Sequence, residues 1–426
     1  MATGGAVPLE TIDLSDVDGF WTRPIAEREE AFATLRATPG LAFFEEPEAG
    51  DLPRGPGFFA VTRHRDVVEV SKSPELFCSG RGSTSIIDMP PEFREFYGSM
   101  IEMDDPRHAR MRRIVSRAFT PTVTRSLEAH IDVVAAEIVD AIAERGECDF
   151  VTEVAAQLPL RIICELMGVP PSEVGYVLAR TNVILGAGDP EYVSDPEQIA
   201  GELIRAGLEL AELVTGLARE REARPTGDVV SALVSAELDG ERLSADELAS
   251  FFILLVVAGS ETTRNAISWG LKDLTDHPDQ RLEWMRNFDA MAQSAVDEIV
   301  RRASPVIEMR RTATRDVVLA GQELHDGDKL VLFYFSANRD EAVFASPHEL
   351  DLKRKDNRHL GFGAPGAHFC LGAHLARREI AGVFRELFNR LPDIHATAEP
   401  DRLKSFFING VKHLPCEFTP GRRRSA

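Results

Sequence analysis

The 426-residue sequence predicts a mainly α-helical protein with small β-sheets. Several long stretches place apolar residues three and four apart, the spacing of a helix with one buried face. One of them runs without a proline from about Ala245 to Asp276, far longer than a strand. Strand-like pieces, by contrast, are few, short and bounded by Gly and Asp turns.

In chain order, GFFAVTR near Phe58 reads as a short strand. EAHIDVVAAEIVDAIAERG (Glu128 to Gly146) and ELIRAGLELAELVTGLAREREAR (Glu202 to Arg224) read as amphipathic helices. In LSADE, Ser244 and Glu247 have the spacing of a capping box, so a helix should start near Ala245. At ~1.5 Å per residue it would be on the order of 45 Å long, enough to cross a protein's centre. Its first half, FFILLVVAG, is apolar on every side and must be buried. From Arg310, RRTATRDVVLAGQELHDGDKLVLFYFSANRD alternates β-branched runs with turns and should form a small sheet. LGAHLARREIAGVFRELFNRL, after Cys370, is again an amphipathic helix. With no repeat, low-complexity segment or long linker, one domain over residues 1–426 is the simplest organisation.

With 44% hydrophobic and 27% charged residues, the chain has material for a large core. Its net charge of -21 argues against non-specific nucleic-acid binding. FFILLVVAG is about half of the roughly 20 residues a membrane span needs. MATGGAVPLETIDLSDVDGF has neither the basic nor the apolar region of a secretory signal, so a cytoplasmic location is expected. Cys78, Cys148, Cys164, Cys370 and Cys416 are odd in number, scattered and without zinc spacing. A disulfide scaffold and a structural zinc site are therefore poorly supported.

Two stretches carry chemistry. AGSETT, Ala258 to Thr263, sets glycine, acid and hydroxyls within the helix that should be dry. Burying them costs free energy unless they have partners or a purpose. Thr262 is spaced to bond the Ala258 carbonyl, and Gly259 would let a flat group approach the backbone. Taken alone, the stretch also fits a solvent-exposed turn. In FGAPGAHFC, Phe362 to Cys370, the cysteine stands at a loop-to-helix entry, where the helix dipole should lower its thiol pKa. Gly363, Pro365 and Gly366 form a tight turn that presents the sulfur on one side. A buried thiol, half of a disulfide and a metal ligand are the alternatives, and a haem bound by thiolate meets all the requirements of the loop. EIVR, with Glu298 and Arg301, reads by itself as an ordinary (i, i+3) surface pair.

FGAPGAHFCLG, AGSETT and EIVR, in this order and at these separations, resemble the cysteine-loop, oxygen-activation and ExxR signatures of the cytochrome P450 haem-thiolate monooxygenases. DDPRHARMRRIVSRAFTP, RRTATRD and SANRDEAVFASP add to the resemblance, which covers nearly the whole chain. It implies a triangular helical prism whose long central helix crosses a haem b. Cys370 would be the axial thiolate, with Phe362, Gly363, Gly372 and Ala258 at the haem. His108, Arg112, Arg311 and His368 match positions that grip the haem propionates, where charge-assisted bonds are the strong kind. Glu298 and Arg301 match a structural pair that anchors the segment before the cysteine loop. Glu261 and Thr262 match the acid and alcohol that deliver protons for oxygen activation.

The wording of these segments resembles most closely an actinobacterial subgroup that oxidises terminal carbons of methyl-branched lipids and sterol side chains. That subgroup shares the eight-residue spacing from Phe362 to Cys370, one more than the general pattern, although Pro365 stands where it usually has a small residue. By the same resemblance, Ile86, Ile87, Met89, Leu254, Ala258, Val306, Ile307 and Phe407 would line the substrate pocket, an apolar set that suits a hydrocarbon. No dinucleotide fingerprint lies in a strand-turn-helix context, so electrons would come from a ferredoxin and its NAD(P)H-dependent reductase. Arg110, Arg113, Arg117, Arg377 and Arg378 are the candidate docking residues. A terpene or polyketide tailoring enzyme fits the same motifs. A haem-binding sensor that never turns over does not need Glu261 and Thr262.

Overall fold

The computed structural model describes residues 7–48, 52–118, 121–238 and 241–423, without the side chains of 117, 118, 121–126, 128, 129, 237, 238 and 241. Its axis is one helix, Ala245–Asp276, with the bounds that the sequence predicts. The start is fixed by the expected capping box: Ser244 Oγ accepts from the Glu247 amide at 3.0 Å, and the Glu247 carboxylate accepts from the Ser244 amide at 3.0 Å. Each bond satisfies a donor that a helix start would otherwise leave unpaired.

Helices surround this axis. Pro91–Gly98, Gln157–Met167, Val174–Gly186, Ile199–Ala223, Phe288–Ala303 and Ala373–Arg390 all pack on it. Phe251, Phe252, Val256, Ile267 and Leu271 of the central helix share one apolar core with Ile131, Leu160, Trp284 and Phe384. The helix read from Glu128 begins earlier, at Pro121, and ends at Ile142.

The β structure is a five-stranded sheet in the order Ala42–Phe44, Phe58–Val61, Lys329–Phe333, Glu308–Ala313, Phe77–Cys78, with smaller sheets beside it. Lys329–Phe333 runs parallel to Phe58–Val61 and antiparallel to Glu308–Ala313. It is buried at every position, which is why KLVLF is a continuous run rather than an alternating one. One face of the sheet meets Phe20, Trp21, Phe32, Ile86 and Ile307, and the other meets Val67, Leu360 and Ala364. The cysteine loop and the 81–89 segment are thus held against a common frame.

All five cysteines are free thiols, and Cys78, Cys148, Cys164 and Cys416 are buried. No helix among the described residues is long and apolar enough to cross a membrane.

Candidate functional site

Cys370 is the one cysteine that is not buried. Its loop is closed by the Cys370 amide, which donates to the Phe362 carbonyl at 3.0 Å, and Gly363 takes a φ of +83° that other residues adopt at a cost. At Gly366 a Cβ would lie 2.3 Å from the Ser71 carbonyl oxygen, so only glycine lets the loop approach that backbone. Phe362 packs on the main core, and the Arg377 guanidinium lies over its ring at 4.4 Å. The extra residue of the loop is accommodated at Ala364, which is buried against the sheet, while Pro365 faces outward.

The thiol departs from the expectation of a lowered pKa. Burial pushes it up, and the Gly372 amide and the Arg112 and Arg377 guanidinia pull down without prevailing. The residue as a whole is exposed, but the thiol is surrounded by enough protein for desolvation to dominate. Desolvation there outweighs the helix entry, because Ala373–Arg390 begins only at the third residue after Cys370.

Four of the matched residues meet beside this loop. The His108 and His368 rings lie 4.3 Å apart, His368 Nε2 is 3.1 Å from Ser79 Oγ, and Arg112 donates to the Phe369 carbonyl at 2.7 Å. Arg311 donates to Ser83 Oγ at 3.0 Å. His368 is pushed down to about 2 by burial, then by Arg311, His108 and Arg112, and His108 is lowered by burial and Arg112. His108 Nε2 is buried without a hydrogen-bond partner. A donor set of two guanidinia and two imidazoles that repel each other's protons, one with an orphaned nitrogen, fits a group bearing buried carboxylates.

On the central helix, Thr262 Oγ1 donates to the Ala258 carbonyl at 2.8 Å, as its spacing predicts. Ala258 is exposed in a helix whose neighbouring turns are buried, so this side faces interior space rather than solvent-swept surface. Glu261 is buried and paired with Arg264, also buried, which in turn donates to Asn182 Oδ1 at 3.0 Å. Burial raises the Glu261 pKa, Arg264 opposes it, and Glu261 Oε1 has no partner. Gly259 has a packing reason as well: a Cβ there would stand 3.2 Å from the Ile163 side chain. It serves the packing of Gln157–Met167 on the central helix.

Glu298 and Arg301 are not a surface pair. Both side chains are 0% exposed and meet through two 2.8 Å bonds. Arg301 also donates to the carbonyls of Asn338 and Pro347 at 2.7 and 2.8 Å. Glu298 accepts from the Asp351 amide, Arg354 and Asn357 at 3.0, 3.0 and 3.2 Å. The pair therefore pins residues 338–357, the segment leading into the cysteine loop.

Of the apolar residues read as pocket wall, Ile86 and Ile307 are fully buried in the core behind the sheet, whereas Ile87, Met89, Val306 and Phe407 remain partly accessible and Leu254 is buried. The alternation of an extended chain explains the split, since neighbours point to opposite sides. Sequence reasoning missed Asn182 and Arg264; the (i, i+3) spacing of Glu261 and Arg264 was a usable signal for the latter. Of the five arginines read as a docking face, Arg110, Arg377 and Arg378 bond Glu247, Asp297 and Asp132 at 3.3, 2.6 and 2.6 Å. Arg113 is exposed, and the Arg117 side chain lies outside the described residues.

A cavity of about 1180 Å³ lies elsewhere, between Pro91–Gly98, Arg107–Ala118 and the start of the central helix, lined by Phe96, Met103, Arg107 and Asp246 among others. It includes none of Cys370, Thr262 or His368. Its size is no reason to place the chemistry there, because it lacks the loop and the donor set.

The family model described as cytochrome P450 matches residues 209–392. A methyl-branched lipid omega-hydroxylase of Mycobacterium tuberculosis is 48% identical over 412 residues, covering 96% of this chain and 95% of the relative. A steroid C26-monooxygenase of Rhodococcus jostii is 39% identical over 416 residues, covering 96% and 85%. A solved structure, a Mycobacterium marinum cytochrome P450 in complex with pseudoionone, superposes with a TM-score of 0.91 at 41% identity, covering 97% of this chain and 100% of that one.

Proposed function

Because the chain belongs to the cytochrome P450 family of monooxygenases, we propose that it binds haem b through Cys370 and hydroxylates the terminal carbon of a methyl-branched lipid, fatty acid or sterol side chain. The convergence of His108, Arg112, Arg311 and His368 beside an accessible cysteine carries the cofactor assignment. The identities to a lipid omega-hydroxylase and a steroid C26-monooxygenase support the substrate class. The haem, when bound, supplies the iron at which dioxygen is activated, one oxygen atom entering a C–H bond and the other leaving as water.

Glu261 and Thr262 handle the protons that this chemistry consumes. Thr262 donates its hydroxyl hydrogen to Ala258, which leaves the oxygen lone pairs free to hold a water. Glu261, whose pKa is raised by burial and whose Oε1 is unpartnered, is the acid placed to pass a proton inward. Arg264 and Asn182 fix its orientation. Ile87, Met89, Val306 and Phe407, with Leu254 and Ala258 of the central helix, exclude water around a hydrocarbon. Electrons come from a ferredoxin and its NAD(P)H-dependent reductase, with Arg113 the candidate docking residue that remains exposed.

The difference spectrum of the reduced, carbon-monoxide-bound protein tests the ligand. A Soret band without the red shift of thiolate ligation overturns it. Turnover of a methyl-branched fatty acid tests the substrate, a terminal alcohol being the expected product. The relative solved with pseudoionone favours a second reading, a terpenoid substrate. Preferential turnover of pseudoionone over the fatty acid replaces the first reading with the second.

A further inference from the structure

The segment from Arg81 to Met89 belongs to no helix or strand, yet it carries Ile87 and Met89. Its shape is imposed from outside. Glu102 Oε1 accepts from the Ser83 and Thr84 amides and from Thr84 Oγ1, at 2.9, 2.8 and 2.8 Å. From the sheet, the Arg310 guanidinium donates to the carbonyls of Arg81, Ser85 and Ile86 at 3.1, 3.4 and 3.3 Å. Gly82 has a φ of +126°, and a Cβ there would stand 2.9 Å from Arg310, so this residue must be glycine for the guanidinium to fit.

Asp88 closes the arrangement. Its two carboxylate oxygens bind Arg310 at 2.8 Å and Lys329 at 2.7 Å. The cations are 3% and 2% exposed and the carboxylate is 50% exposed. Lys329 is also held by the buried Glu46. Two cations fixed in a sheet thus grip one carboxylate of the irregular segment. Buried cations depend strongly on their partners, so the segment is located mainly by charge, with one backbone bond from the Arg310 amide to the Ser83 carbonyl at 2.8 Å.

We propose that Arg310 and Lys329, acting through Asp88, are positioning residues that fix Ile87 and Met89 against the substrate. This rests on the reading of those two side chains as pocket wall. Ile86, next to them in the chain, is fully buried in the core against the sheet.

The test uses the full-length holoenzyme and Asp88→Asn, which keeps a hydrogen-bonding side chain of the same shape while Lys329 retains Glu46. Amide exchange of residues 83–89 is expected to speed up by about tenfold, the loss of a charge-assisted bond, with the Lys329–Phe333 strand unchanged. Binding of a bulky aryl-imidazole, read by its spectral shift, should weaken by about tenfold, while imidazole itself stays within about twofold. Unchanged exchange and unchanged discrimination between the two azoles overturn the proposal. So does an equal loss for both azoles, which marks general damage to the haem site. Neither readout uses a lipid. A wild-type enzyme that ignores methyl-branched fatty acids therefore sinks the substrate reading and leaves this result to stand or fall by itself.

Discussion

Thr262 and Glu261 illustrate how little a side chain's identity says without its partners. Thr262 is committed as a donor to Ala258 and is available only as an acceptor. Thr262→Ala removes that acceptor, and product formed per reducing equivalent is expected to fall as electrons are diverted from the alcohol. Counting alcohol against NAD(P)H consumed checks it, and an unchanged ratio removes the assignment. Glu261 depends on Arg264, whose charge opposes the upward push of burial on its pKa. Replacing Arg264 with Leu should raise the Glu261 pKa further and shift the alkaline limb of the coupling ratio to higher pH.

At the scale of elements, two devices hold the site in register. The capping box sets where the central helix begins and therefore the depth of Ala258 along it. Ser244→Ala should cost about 1 kcal/mol in urea unfolding and Ser244→Gly only a few tenths. The second device is the Glu298–Arg301 fork, whose environment makes it worth far more than its spacing suggests. Glu298→Ala leaves the Arg301 guanidinium buried without its anion and strips acceptors from Asp351, Arg354 and Asn357. Destabilisation of about 3–5 kcal/mol is expected, with loss of bound haem as the cysteine loop loosens. Near-normal haem content in the purified variant would contradict that anchoring role.

For the whole molecule, buried carboxyls set the response to pH. Burial pushes Glu308 and Glu379 up to about 8, Arg310 and Arg311 opposing at Glu308. Between the ordinary value of 4.5 and about 8 the folded state holds protons that the unfolded chain has released. Stability from these groups is therefore complete below about pH 4.5 and is lost as pH rises through about 8. Between about pH 5.5 and 7 the slope should be roughly 1 kcal/mol per pH unit for each group, diminishing as it ionises near pH 8. Thermal melts from about pH 7 to pH 8 should show a falling midpoint, and Glu308→Gln should flatten the fall.

The helices, the capping box, the Thr262–Ala258 bond and the free cysteines were legible in the sequence, because each depends on spacing within a few residues. The cysteine loop singled out Cys370, and the family resemblance added its four donor neighbours, which are spread over some 260 positions and share no local signal. Three matters were decided only by folding. The Cys370 thiol is raised rather than lowered, Gly259 makes room for Ile163, and Ile86 and Ile307 face the core. Each depends on what stands opposite a residue in space. Local sequence fixes periodicity and hydrogen-bonding reach along one element, but desolvation, close approach and the direction of an extended side chain depend on residues far away in the chain.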